Sequence, residues 1–176
     1  MRDLLFNRDG LMLGICNGFQ ALVKLGLVPY GDIRPMDDEC PTLTFNTIGR
    51  HQSRLVRTRV ASNLSPWLSQ CEPGDIHTVA ISHGEGRFVC SPELQHQLEV
   101  TGRIATQYVD EAGQPSMDWD VNPNGSVMAI EGITSPDGRV LGKMGHVERR
   151  GDGLYKNVPG NKFMPLFESG VKYFTD

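Results

Sequence analysis

The chain begins with an apolar run that is followed by a segment of helical periodicity. Residues 11–15 (LMLGI) are short and continuously apolar, which predicts a buried strand. Residues 17–26 carry Phe19, Leu22 and Val23 at helical spacing and end on a glycine, which predicts a helix. Since one residue separates the two segments, we expect a strand, a sharp turn and a helix in that order.

The rest of the chain has mainly the patterns of strands and turns. Extended segments are predicted at 42–47, 55–61, 77–82, 87–90 and 104–109, and a hairpin at 127–134 and 139–144. Helical segments are predicted at 66–68, 164–174 and 92–98, the last with Ser91 as its N-cap. Residues 28–41 and 151–162 have loop composition, and NPNGS at 122–126 is typical of a turn. We therefore predict an α/β fold with a sizeable antiparallel part.

Composition and charge narrow the class of protein. The 176 residues are enough for one domain with a real core, and 39% of them are apolar. A net charge of −4 argues against a broad nucleic-acid surface, and no apolar run approaches the ~18 residues of a membrane span. The four cysteines contain no C-x-x-C pair, and no metal-ligand cluster is evident. We expect a cytoplasmic protein with free thiols, no bound metal and neither nucleic acid nor membrane as partner.

A cysteine at the strand-to-helix junction is the strongest chemical signal. Gly14-Ile15-Cys16-Asn17-Gly18 has the G-x-C-x-G form of a nucleophile elbow, in which glycines permit a sharp turn without a Cβ clash. The helix that follows directs its free N–H groups at the sulfur, which favours thiolate and stabilises an oxyanion. The alternative is a buried cysteine between two turn glycines. The other three cysteines lack this context, and we interpret them as structural thiols.

A thiol nucleophile needs a base, and His146-Val147-Glu148 supplies a candidate. In extended backbone the side chains at i and i+2 project to the same side, so His146 and Glu148 are expected to meet. His83, with Glu85 two residues later, is the second candidate base.

These motifs together resemble the class I, triad-type glutamine amidotransferases, through the elbow GICNGFQ and the late H-x-E-R. Four further stretches are similar to the glutaminase domain of phosphoribosylformylglycinamidine synthase, in its large single-chain form: NTIGRHQSR at 46–54, SHGEGR at 82–87, NPNGS at 122–126 and GKMGHVERR at 142–150. The commoner family sequence flanks the histidine with prolines, whereas Gly145 and Val147 stand here.

The resemblance implies a flavodoxin-like class I sheet with added antiparallel strands. Only 15 residues precede Cys16, where the family has several strands and helices. We therefore expect residues 1–176 to be one glutamine amidotransferase domain, a C-terminal portion whose N-terminal strands are missing. A loop that donates one oxyanion N–H would be among the missing parts, so the chain alone is expected to be a poor glutaminase.

The resemblance also implies roles for residues and partners. Cys16 would be the nucleophile, His146 the acid and base, and Glu148 its orienting carboxylate. Asn17 and Gln20 would bind glutamine, although Gln20 is equally consistent with an ordinary solvent-facing residue. The ammonia would convert formylglycinamide ribonucleotide to formylglycinamidine ribonucleotide in a synthetase region on the same or a partner chain. ATP and Mg²⁺ belong to that region, and this chain, which lacks a Walker motif, is expected to hold no cofactor.

Two rival functions remain open from the sequence. One is a different cysteine hydrolase of this type, such as a γ-glutamyl peptidase, which has no reason to carry SHGEGR and NPNGS together. The other is a docking module with an idle triad. The arginine-rich run at 50–59 is consistent with a docking face, a site for the α-carboxylate of glutamine, or a solvated strand face.

Overall fold

The computed structural model describes residues 1–175, and eight strands form two sheets in it. The larger sheet has six strands in the order β1-β8-β7-β6-β3-β4, and β2 and β5 form a separate pair. The strands are β1 (Met12–Ile15), β2 (Thr42–Thr44), β3 (Gln52–Val60), β4 (Ile76–His83), β5 (Arg87–Val89), β6 (Ile104–Tyr108), β7 (Ile130–Thr134) and β8 (Val140–Lys143).

Four α-helical segments accompany these strands: α1 (Asn17–Leu25), α2 (Leu27–Tyr30), α3 (Pro92–Val100) and α4 (Leu166–Lys172). Gly26 ends α1 in the left-handed conformation, with φ of 82°, as expected of a terminal glycine. The Ser91 hydroxyl caps α3 by accepting from the Leu94 N–H at 3.2 Å, which confirms the predicted N-cap. No helix among residues 1–175 is long and apolar enough to cross a membrane.

The strand pairing is mixed, and β1 is the point where it becomes parallel. β1 runs parallel to β8, whereas the β8–β7, β7–β6, β6–β3 and β3–β4 pairs are antiparallel. The predicted hairpin is present as β7 and β8, and the α/β class with a large antiparallel part is confirmed. The flavodoxin-like description of the sheet thus fits its first strand pair, and the antiparallel strands extend it.

Three segments differ from the prediction. Residues 28–30, which fall within the predicted loop, belong to the short helical segment α2 (Leu27–Tyr30). The strand predicted at 42–47 ends at Thr44, because Asn46 turns inward and its N–H donates to the Gly84 carbonyl at 2.9 Å. β4 and β5 are adjacent in sequence but lie in different sheets, since β5 pairs with β2.

Apolar side chains cover both faces of the large sheet. On β8, Val140 packs in a cluster with Phe19 and Leu27, whereas the next residue, Leu141, packs in a second cluster with Leu166. Neighbouring residues of a strand point to opposite faces, so α1 and α4 lie on opposite sides of β8. Both faces of β8 are thus buried, as is usual for a strand that has a parallel partner.

Candidate active site

Cys16 occupies a strained position between β1 and α1. Its φ of 53° and ψ of −108° lie outside the regions that side-chain-bearing residues ordinarily adopt. Gly14 permits this turn, because a Cβ there would lie 2.7 Å from the Gly18 carbonyl carbon and 2.5 Å from a Leu22 methyl. Gly18 is different, since a Cβ there meets nothing within 4 Å. The expectation that both glycines avoid a clash is therefore correct for Gly14 and wrong for Gly18.

The candidate base follows the strand that pairs with β1. Ile15 is in register with Lys143, and the Cys16 N–H donates to the Lys143 carbonyl at 2.8 Å. β1 and β8 are parallel, so Cys16 and His146 leave the sheet at the same edge. This pairing explains how residues 130 positions apart in the sequence reach the same end of the sheet.

The imidazole of His146 contacts the carboxylate of Glu148, as the H-x-E spacing predicts. The distance between Nδ1 and Oε1 is 2.5 Å, and the His146 side chain is only 10% exposed. A carboxylate accepts hydrogen bonds only, so Nδ1 carries the hydrogen and Nε2 keeps its lone pair in the neutral ring. Within residues 1–175 this buried Nε2 has no hydrogen-bond partner. An unengaged lone pair at that atom is what a general base requires.

The thiol and the imidazole do not hydrogen-bond directly in this structure. Cys16 Sγ instead lies 3.8 Å from the carbonyl oxygen of Ser82. The backbone N–H of His146 donates to the carbonyl of Ala80 at 2.8 Å. Ser82 and Ala80 are two residues apart on β4, a separation of about 7 Å along a strand. The two groups therefore reach the same end of β4.

Burial raises the pKa of the Cys16 thiol, and the nearby Glu148 carboxylate raises it further. The Asn17 N–H, which donates to the sulfur, and the Arg149 guanidinium lower that pKa by smaller amounts. Burial therefore outweighs the thiolate-favouring effect expected of the start of α1. The thiol is protonated at neutral pH and needs a base before it can attack.

A small open pocket adjoins the thiol. It has a volume of about 310 Å³ and is lined by Cys16, Asn17, Gln20, Phe45 and residues 82–85. Both residues predicted to bind glutamine are thus beside the thiol, and the Gln20 side-chain N–H donates to the Glu85 carbonyl at 2.5 Å. A larger cavity, of about 720 Å³, lies beyond Glu148 against residues 150–163. None of the described residues that line that larger cavity is a cysteine, serine or threonine.

The second candidate base, His83, is held in a structural role. Asn46 donates its amide hydrogens to the carbonyls of Arg50 and His83, so its Oδ1 is an acceptor. That oxygen accepts from the Gly86 N–H at 3.0 Å and from His83 Nδ1 at 3.2 Å. Burial lowers the pKa of His83 to about 4, which keeps the ring neutral at physiological pH. No hydrogen bond joins the Glu85 carboxylate to the His83 ring, whose Nδ1 is bound to Asn46 instead.

Buried asparagines hold His83 and Gly86, beside the residues that line the pocket, and the sequence pattern did not predict this role. Asn124 Nδ2 donates to the Gly86 carbonyl at 2.9 Å and to the Tyr108 hydroxyl at 2.6 Å. The Ser126 hydroxyl donates to the same Gly86 carbonyl at 3.3 Å. NPNGS is therefore more than the predicted turn, because it anchors SHGEGR. Its asparagines resembled ordinary turn formers, and only their complete burial distinguishes them.

The other cysteines and the arginine-rich run are bound or buried in ways that indicate structural roles. Burial raises the pKa of Cys71 and of Cys90 to about 11, as expected of unreactive structural thiols. In the arginine-rich run, Arg54 and Arg57 donate to the carbonyls of Asp120 and Glu111. These bonds hold the arginines against the domain, which fits the reading of a strand face.

The match to a known family agrees with this geometry. The family described as the CobB/CobQ-like glutamine amidotransferase domain matches residues 1–174. The chain therefore belongs to this family of glutamine amidotransferase domains.

Similar proteins are described as parts of a single enzyme. Two relatives from Synechococcus are described as phosphoribosylformylglycinamidine synthase subunit PurQ. The protein of strain JA-2-3B'a(2-13) is 36% identical over 167 residues, covering 95% of this chain and 64% of the relative. That of strain JA-3-3Ab is 37% identical over 165 residues, covering 94% and 63%. The structure of PurLQS from Thermotoga maritima matches with a TM-score of 0.68 at 27% identity, covering 96% of this chain and 64% of that one. The chain thus spans a little under two thirds of the length of these proteins.

Proposed function

We propose that this domain hydrolyses glutamine to glutamate and ammonia, with Cys16 as nucleophile and His146 as general acid and base. The observation that carries the proposal is the placement of two groups at the same end of the parallel β1–β8 pair. One is a strained cysteine, and the other is an imidazole whose Nδ1 is bound to Glu148 and whose buried Nε2 has no partner among residues 1–175. Nucleophile, base and orienting carboxylate are the three groups that acyl transfer by a thiol requires.

In the proposed reaction, His146 Nε2 takes the thiol proton and Sγ attacks the side-chain amide carbon of glutamine. The negative charge that develops on the amide oxygen is stabilised by N–H groups at the start of α1, including that of Asn17. The carbon–nitrogen bond then breaks, and the proton on His146 passes to the leaving ammonia. Water, deprotonated by the same nitrogen, then attacks the γ-glutamyl thioester. The carbon–sulfur bond breaks, glutamate leaves, and His146 returns the proton to the sulfur of Cys16.

Gln20 is proposed to orient the substrate. It lines the pocket beside Cys16, and its side-chain N–H is already bound to the Glu85 carbonyl. The amide oxygen of Gln20 is therefore the atom available to accept a hydrogen bond from glutamine.

The consumer of ammonia is proposed to be a formylglycinamidine ribonucleotide synthetase region, with ATP and Mg²⁺ bound there, in the cytoplasm. The names of the two Synechococcus relatives and the motifs SHGEGR and NPNGS support this assignment. The motifs resemble the single-chain form of the enzyme, whereas both relatives are described as subunits. The proposal requires contact with a synthetase region and holds whether that region is on the same polypeptide or on another.

The test is Cys16→Ala in the full-length protein together with its synthetase region. We expect glutamine-dependent formation of the amidine to be abolished and ammonia-dependent formation to persist, because the thiol only generates ammonia. Cys40→Ser, which alters a thiol outside the pocket, is the matched control and should retain both activities.

Equal loss with both nitrogen sources would contradict the proposal. Labelling with diazo-oxonorleucine, a glutamine-like reagent, separates the rival functions. Attachment to Cys16 supports the amidotransferase, and an inert but folded protein would indicate a docking module.

A further inference from the structure

A fully buried ion pair lies beside the candidate base. Lys143 Nζ, from β8, is 3.0 Å from Glu131 Oε1, from β7, and both side chains have no exposed surface. Desolvation of two charges is costly, and replacing such a pair by apolar side chains is often neutral or stabilising. The pair is therefore poorly explained as a source of stability alone.

Both members of the pair bind the residue that precedes His146. Glu131 Oε1 accepts a hydrogen bond from the Gly145 N–H, and Lys143 Nζ donates to the Gly145 carbonyl at 3.1 Å. The other carboxylate oxygen accepts from the Thr106 hydroxyl, a bond that does not involve Gly145. The two backbone polar groups of Gly145 are thus both held by one buried pair.

The space around Gly145 accommodates this pair only because glycine has no side chain. A Cβ there would lie 2.8 Å from Glu131 Oε1, 3.1 Å from Lys143 Nζ and 2.6 Å from a Val79 methyl. Any side chain would therefore displace the carboxylate. A proline, which stands beside the histidine in the commoner family sequence, would also remove the N–H that the carboxylate accepts.

The held peptide leads directly into the candidate base. On the far side of Gly145, the His146 N–H is bound to the Ala80 carbonyl at 2.8 Å, and the ring is bound to Glu148. The backbone around His146 is consequently fixed at consecutive residues. We propose that Glu131 and Lys143 are positioning residues, which hold Gly145 so that the His146 imidazole is directed at the thiol of Cys16. This proposal rests on the proposed glutaminase function.

The test is the double variant Glu131→Leu/Lys143→Met in the full-length protein. It removes both bonds to Gly145, keeps side chains of similar size and leaves no unpaired buried charge. We expect a folded protein in which kcat for glutamine hydrolysis falls on the order of 10²-fold with KM little changed, because misplacement of a reacting group by about 1 Å has that effect. Hydrogen exchange at the Gly145 amide should become faster.

Two further variants complete the design. Thr106→Val removes a bond to the same carboxylate without touching Gly145, and it should leave kcat within a few-fold of the wild type. Gly145→Ala displaces the carboxylate without changing any charge, and it should reproduce the loss in kcat if the double variant does not fold.

Wild-type kcat in the double variant would overturn the proposal, and so would an equal loss in Thr106→Val. Exchange at Gly145 is measured without turnover. If the wild-type protein does not hydrolyse glutamine, the proposed function fails, while faster exchange at Gly145 in the double variant still reports that the pair holds this peptide.

Discussion

Replacing Gly14 with alanine tests the steric basis of the turn at Cys16. The added Cβ would lie 2.5 Å from a Leu22 methyl and 2.7 Å from both the carbonyl carbon and the oxygen of Gly18. Two of these three atoms are backbone atoms in the first turn of α1, so no side-chain rotation relieves the contact. An ordinary carbon contact of about 3.5 Å requires α1 to move away from β1 by about 0.8 Å.

A forced displacement of this kind in a packed core costs about 1–3 kcal/mol. For a domain of this length, at about 2–4 °C per kcal/mol, the melting temperature should fall by about 2–12 °C. Urea unfolding followed by circular dichroism gives the free energy of unfolding, and a thermal scan gives Tm.

Gly18→Ala is the matched control four residues away. A Cβ there meets nothing within 4 Å, and alanine is a better helix former than glycine by up to about 1 kcal/mol. This variant should be as stable as the wild type or more so. If Gly14→Ala were as stable as Gly18→Ala, the close approach of β1 and α1 would not be what requires glycine at position 14.

Two further predictions concern pH. Burial lowers the pKa of His83 from its ordinary 6.5 to about 4, so as the pH falls the unfolded chain binds a proton at this residue before the folded chain does. The free energy of unfolding should therefore be at its full value above pH 6.5 and fall by up to about 3 kcal/mol as the pH drops to 4. His83→Asn should remove this part of the dependence in urea unfolding, and an unchanged slope would refute it. Because burial raises the pKa of Cys16 above its ordinary 9.0, the rate of alkylation by iodoacetamide without glutamine should still be rising at pH 9. A plateau below pH 8 would show that the thiolate is stabilised instead.

The features that the sequence predicted are those set by short-range rules. The turn at Cys16 follows from adjacent residues, and the contact between His146 and Glu148 follows from side-chain alternation two residues apart. The N-cap at Ser91 is equally local. In each case the pattern and the structure it determines lie within a few residues of each other.

The features that the sequence did not predict depend on distant partners. Lys143 has the appearance of an ordinary surface lysine until β7 brings Glu131 beside it. Asn46 and Asn124 have the composition of turns, and their burial depends on where the residues around Gly86 pass between them. The separation of β5 from β4 likewise depends on the availability of β2 as a partner. Pairing choices over dozens of residues are not encoded in local periodicity.

The direct pairing of β1 with β8 bears on how such a domain tolerates change in length. The chain leaves β1 at Cys16 and enters the neighbouring strand β8 at Val140, which is in register with Met12. The register of this strand pair therefore fixes where the long intervening segment begins and ends. Insertions or deletions in exposed turns of that segment, such as residues 110–120, lengthen or shorten it without altering the spacing of its ends. Exposed turns of this kind can therefore vary in length over evolutionary time, while β1 and β8 keep Cys16 and His146 at the same end of the sheet.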